Sequence, residues 1–190
     1  MVKKRVMGLD ASTSTIGLSI IDYEDGYVSL HHVEYFKPDK KGTIFERLSG
    51  VRKFITERLD KFKPDDVALE DIILFMKGHS TAKTISALSI LNRTVGLAVY
   101  DAGYTPHLLN IMSIRHKIKD GKKLPAKAEI PELVAKILNI KFPYVLNKKK
   151  EMAVENEDMA DSIAVALAFI KGAKRVEKKP KSASKKKKTA

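Results

Sequence analysis

The sequence predicts an α/β fold, a mixed five-stranded sheet with its first three strands antiparallel, flanked by helices. Three observations predict it. The first 36 residues hold three apolar, β-branched stretches in succession. After them come a run with helical spacing, a strand-like run, a second helical run, another strand-like run and further helices. The 190 residues, 44% apolar and 31% charged, are enough for one substantial core of a soluble globular domain.

The first three strands are expected within RVMGLD, STIGLSIID and YVSLHHVEYF. Asp25-Gly26, in YEDGY, is a strong hairpin signal between the last two, so the three form an antiparallel meander. Ile44, Leu48, Val51, Ile55, Leu59 and Phe62 then recur at helical spacing up to Lys63-Pro64, with charged residues on the opposite face. That helix should cover the sheet. VALEDIIL returns to strand character.

From Thr81 to Tyr100, Ile85, Leu88, Leu91, Val95 and Ala98 share one helix face, while Ile90 and Leu97 are apolar elsewhere. A helix apolar on two sides meets a second partner, and a homodimer contact is expected there. TPHLLNIMSI reads as strand five, and RHKIKDGKKLPAK as a basic loop before the helix AEIPELVAKIL. The last helix is expected in ENEDMADSIAVALAFIK.

Composition excludes several classes. Without cysteine there are no disulfides and no thiolate metal sites. SIAVALAFI is too short to span a bilayer and the start lacks the apolar run of a signal peptide, so a cytoplasmic setting is expected, the host cytoplasm if the source is viral. Of the formal +13, +9 falls between Lys171 and Ala190. Residues 1–172 are thus expected to form the domain, and 173–190 a disordered basic tail that contacts phosphates without reading sequence.

Two carboxylates end apolar strands: Asp10 in MGLDASTSTIGLSIID and Glu70 in VALEDIIL. A carboxylate there loses hydration unless something meets it, so Asp10 is either a turn cap or a corner of a metal site. If strands one and four are parallel neighbours, both acids project at one carboxyl edge, where open sheets place their ligands. Asp158 and Asp161 stand three apart at the start of the last helix. Taken alone, they are better read as first-turn carboxylates that suit the helix dipole and cap its amide groups. Should the four acids converge, divalent cations resolve their repulsion. Oxygen ligands suit magnesium, and a pair of such ions can clamp the attacking and leaving oxygens of a phosphodiester.

In this order and spacing the elements resemble the ribonuclease H-like fold, and the residues resemble the RuvC family of Holliday junction resolvases, above all its phage members. GLDASTSTIGLSII is similar to the family's first-strand motif with its catalytic Asp, ALED to its strand-four Glu, and EDMADSIAVALA to its D-x-x-D helix. The resemblance runs from about Val6 to Lys171. It implies a magnesium-dependent endonuclease, with two ions per site and manganese as a substitute. It further implies a homodimer that makes paired symmetric nicks in four-way DNA junctions, with Asp10, Glu70, Asp158 and Asp161 as catalytic metal ligands. Lys127, in AKAEI, lies where the family carries a basic residue near the DNA.

DNA contacts are expected from Lys127, from Arg115, Lys117, Lys122 and Lys123 of the basic loop, and from Lys77 and Lys83. Phe75 is expected either to wedge into the junction or to cover the sheet or the dimer seam. The chain departs from the family's Asp-Pro-Gly with Asp10-Ala11-Ser12, and carries Ile73 where some members have a wedging aromatic. Alternatives are a relaxed branched-DNA or flap nuclease, a non-catalytic branched-DNA binder, and a sugar-kinase/actin-like ATPase, which lacks a second Gly-Gly motif here.

Overall fold

The structure, a computed structural model, describes residues 2–12, 14–39, 41–72 and 81–177. Its sheet comprises β1 (Lys4–Ala11), β2 (Ile16–Glu24), β3 (Tyr27–Phe36), β4 (Asp66–Glu70) and β5 (Pro106–Leu109), in the order β3-β2-β1-β4-β5. The first three are antiparallel neighbours, and β1, β4 and β5 run parallel. Asp25 (φ 46°) and Gly26 (φ 97°) make the β2–β3 turn with the positive φ that a tight hairpin demands.

The helices are α1 (Ile44–Phe62), α2 (Ala82–Asp101), α3 (Ile111–Ile118), α4 (Ile130–Leu138) and α5 (Glu155–Glu177), with a 3₁₀ turn at Lys127–Glu129. Thr43 caps α1 in a reciprocal box with Glu46, and Lys63 ends it in the left-handed conformation before Pro64. Strand alternation divides the sheet between two layers. Met7, Leu9, Leu18, Ile20, Val67 and Leu69 pack with α1 and α2. Val6, Ile21 and Ala68 pack on the other side with α3, α4 and α5.

The structure corrects the reading of residues 105–118. Strand five ends at Leu109, and the following stretch is α3, capped by the Asn110 side chain, which accepts from the Met112 N–H at 2.9 Å. Arg115 and Lys117 therefore stand on a helix rather than in a loop. Ile114 and Ile118, four apart, are its buried pair. Strand four likewise ends at Glu70, with Asp71 and Ile72 beyond it, and the expected Ile73 and Leu74 lie outside the described residues. The backbone of α5 continues as helix to Glu177, past the expected domain end at residue 172, and residues 178–190 lie outside the described residues. Among the described residues no helix is long and apolar enough to cross a membrane.

Candidate active site

Asp10 and Glu70 reach the same edge because β1 and β4 run parallel, with Leu9 opposite Leu69 one residue before the two acids. Alternation sends Met7 and Leu9 toward α1 and α2, and so turns Gly8 and Asp10 toward α5. Ala68 faces α5, and Glu70, two residues on, takes the same side. A one-residue slip of either strand would move its acid to the opposite layer. The end of β4 is pinned by Asn92 of α2, buried to 1% exposure, whose Nδ2 donates to the Glu70 carbonyl at 2.8 Å. Sequence reasoning missed Asn92, whose partner lies 22 residues away in the chain.

The N-terminus of α5 docks against this edge because two glycines let it. A Cβ on Gly17, the partner of Asp10 across β1 and β2, would lie 2.0 Å from the Asp158 carbonyl oxygen. One on Gly8 would lie 2.2 Å from that of Ser162. Side chains at either position would lift the helix away. Asp158 also takes a hydrogen bond from Thr15, a buried residue in a β1–β2 turn closed by Ser12. The Ser12 hydroxyl donates to the Thr15 carbonyl at 2.9 Å and accepts from the Thr15 N–H at 3.1 Å.

These three elements bring four carboxyls into one electrostatic cluster. Burial, then Glu70, Asp161 and Asp158, push the Asp10 carboxyl well above its ordinary range. Burial and Asp161 raise Glu70 to about 7, against Arg115 and Lys127. Asp161 is raised to about 6 by burial, again against Lys127 and Arg115. Burial also raises Asp158, opposed by Lys127 and by the Thr15 bond. The Lys127 ammonium stands 3.3 Å from Glu157 and 3.8 Å from Asp161, and although burial works against its charge, Asp161, Glu157 and Asp10 hold it above its usual value.

The donor set is all oxygen, and its negative charge exceeds what Lys127 and Arg115 balance, so by chemistry it fits a hard divalent cation. Among the described residues no three acidic or histidine side chains stand close enough to form a finished ion cage.

Of the other expected residues, Arg115 and Lys127 join the cluster. Lys83 is exposed in the first turn of α2, and Lys122 and Lys123 are exposed in the segment after α3. Lys117 lies elsewhere, its ammonium beside Gly172 near the other end of α5. At 1.5 Å per residue that is about 21 Å along the helix from Asp158. Phe75 and Lys77 lie outside the described residues.

The family model for crossover junction endodeoxyribonuclease RuvC matches residues 6–169. The RuvC of Finegoldia magna is 30% identical over 176 residues, covering 90% of this chain and 94% of the relative. That of Dehalococcoides mccartyi is 24% identical, covering 86% and 90%. Among solved structures, Thermus thermophilus RuvC in complex with Holliday junction substrate superposes with a TM-score of 0.69 at 22% identity, over 90% of this chain and 96% of that one. The yeast mitochondrial Holliday junction resolvase does so with 0.67 at 15%, over 92% and 80%. These superpositions show the ribonuclease H-like fold of the resolvases.

Proposed function

The chain belongs to the RuvC family of crossover junction endodeoxyribonucleases, and from that premise we propose that it resolves four-way DNA junctions by paired symmetric nicks at the Asp10–Glu70–Asp158–Asp161 edge. The observation that supports this most is the parallel register of β1 and β4. It turns Asp10 and Glu70 to the α5 side, where Gly8 and Gly17 admit Asp158 and Asp161.

Asp10, Glu70, Asp158 and Asp161 would hold two magnesium ions, or manganese in their place. When bound, such ions activate water and stabilise charge on the phosphodiester oxygens. The chain's own residues do the rest. Asn92 fixes the backbone from which Glu70 projects. Thr15 holds Asp158 toward the cleft, and the close seat of α5 sets the spacing between the helix acids and Asp10. Lys127 and Arg115 keep the cluster from excessive repulsion and present cations to the incoming phosphate.

Two copies are required for two nicks. The surface of α2 suits a homodimer contact, since Ile90, Leu97 and Tyr100 are 46%, 52% and 69% exposed on the side away from the core. Lys83, Lys117, Lys122, Lys123, Lys77 and Phe75 are proposed as outlying DNA contacts. The lysine-rich end of the chain is proposed as a non-specific arm, and a cytoplasmic, DNA-bearing compartment as the setting. Ala11-Ser12 and Ile73, where the family differs, favour a second reading in which forks and flaps are also cut.

The test is a labelled synthetic four-way junction beside linear and forked duplexes, with magnesium present and absent. Paired magnesium-dependent nicks in the junction support the proposal. Equal cutting of all three substrates favours the relaxed reading, and the absence of cleavage removes both.

A further inference from the structure

Immediately before α5 the chain makes a small hairpin that the junction-cutting site does not use. Leu146 and Met152 form an antiparallel bridge, and the Ala153 N–H donates to the Val145 carbonyl at 3.0 Å. The tip is closed by Asn147, whose backbone N–H donates to the Glu151 carbonyl at 2.8 Å. Its side-chain oxygen accepts from the N–H groups of Lys149 at 2.8 Å and Glu151 at 3.0 Å. Lys150 completes the turn at φ 63°, donating its N–H to the Asn147 carbonyl at 2.9 Å.

The base is fastened as firmly. Asn156, 4% exposed in the first turn of α5, accepts from the Val145 N–H at 2.8 Å, and donates to the carbonyls of Val145 at 2.9 Å and Ala153 at 2.8 Å. A buried amide with this many backbone bonds makes hairpin and helix one rigid unit. The hairpin therefore holds its tip in a set relation to Asp158 and Asp161.

That tip presents three consecutive lysines, Lys148, Lys149 and Lys150, all exposed. Among the described residues no carboxylate pairs with them. The adjacent one, Glu151, is engaged by the Asn147 amide at 3.1 Å. Leu146, Met152 and Val154 leave 55%, 59% and 74% of their surface open beside the lysines. Val154 is also a wall of a cleft of about 300 Å³ that it shares with Ser12, Thr15, Lys37, Lys127 and Asp158. At up to about 3.4 Å per residue, Lys150 stands within about 14 Å of that wall and Lys148 within about 20 Å. Along the axis of a duplex these reaches span about four to six phosphates of one strand.

We propose that the hairpin at 145–153 is a preordered DNA clamp, whose three lysines grip the phosphates of the duplex arm leaving the catalytic cleft. The proposal rests on the branched-DNA nuclease reading and adds to it where an arm lies. Three ammonium groups at a rigid tip bind a polyanion with little ordering cost. The open leucine, methionine and valine suit the sugar face of the same strand.

The experiment compares the whole protein with a triple variant, Lys148→Ala, Lys149→Ala and Lys150→Asn, asparagine being chosen because it tolerates the left-handed turn. Binding to a synthetic four-way junction is measured across a salt series. The slope of log affinity against log salt should flatten by about 2 to 3, at about 0.9 per lost phosphate contact, with at least about a tenfold loss of affinity at physiological salt. Nicking at saturating DNA and the melting temperature should hold, and arginines at the three positions should restore the slope. In the wild type, amine acylation read by mass spectrometry should show the three lysines protected by the junction.

An unchanged slope, or undiminished acylation in the complex, overturns the clamp while leaving the nuclease reading intact. A change from dimer to monomer with an unchanged slope overturns it in favour of a subunit contact. A wild type that binds no junction at all removes both readings.

Discussion

Asp10, Glu70 and Asp161 sit where the fold opposes their ionisation, and the consequence is measurable without any DNA. Folding raises Glu70 from its ordinary value to about 7, chiefly by burial and then by Asp161. Ionising such a group works against folding. The destabilisation is complete above about pH 7 and vanishes below the ordinary carboxylate range. Glu70→Gln should therefore stabilise the metal-free protein at pH 8 by about 1–3 kcal/mol and change it little near pH 4.5, as read from thermal melts. Magnesium should raise the melting temperature of the wild type more at pH 8 than at pH 5.5, since protons compete for the same oxygens. The four acids were legible in the sequence because each is a charge at the border of an apolar run. Asn92 and Thr15 were not, since one hydrogen-bonds a distant carbonyl and the other sits in a loop of similar residues, and only the fold supplies their partners.

Among the elements, the seat of α5 on β1 and β2 decides whether those acids meet. Gly17→Ala would place a methyl 2.0 Å from the Asp158 carbonyl oxygen, so backbone must move. A loss of about 1–3 kcal/mol in stability is expected, with a loss of nicking larger than the residual unfolding explains. Gly50→Ala is the contrast. In the middle of α1 its Cβ would meet only the Phe36 ring at 3.8 Å, so the change should stabilise by about 0.5–1 kcal/mol in a denaturant titration and leave nicking unaltered. The longer elements could be read from their periodicity: α1 from Ile44 to Phe62, and the meander from its Asp25-Gly26 turn. The helix α3 could not. Ile111, Met112 and Ile114 continue the apolar run of β5, and a run that short does not distinguish strand from helix; the Asn110 cap decides it.

For the molecule as a whole, the proposed function divides the charge between a site that reads DNA shape and an end that does not. Residues 178–190 carry seven lysines and no acid. Their removal should weaken binding to every DNA shape and flatten the salt dependence, while the preference for junction over linear duplex persists. A filter-binding series on both substrates checks this. On this proposal the acids of β1, β4 and α5 act together as one metal-dependent nicking site on branched DNA. The most direct measurement is the nicking of a labelled four-way junction by the wild type and by Asp10→Asn, at saturating magnesium, with junction binding followed in the same samples. Removing a supporting group beyond the ligands of a metal site typically costs 10–100-fold, so loss of a ligand should cost more than about a hundredfold in rate while binding is retained. Nicking by Asp10→Asn near the wild-type rate would contradict the account.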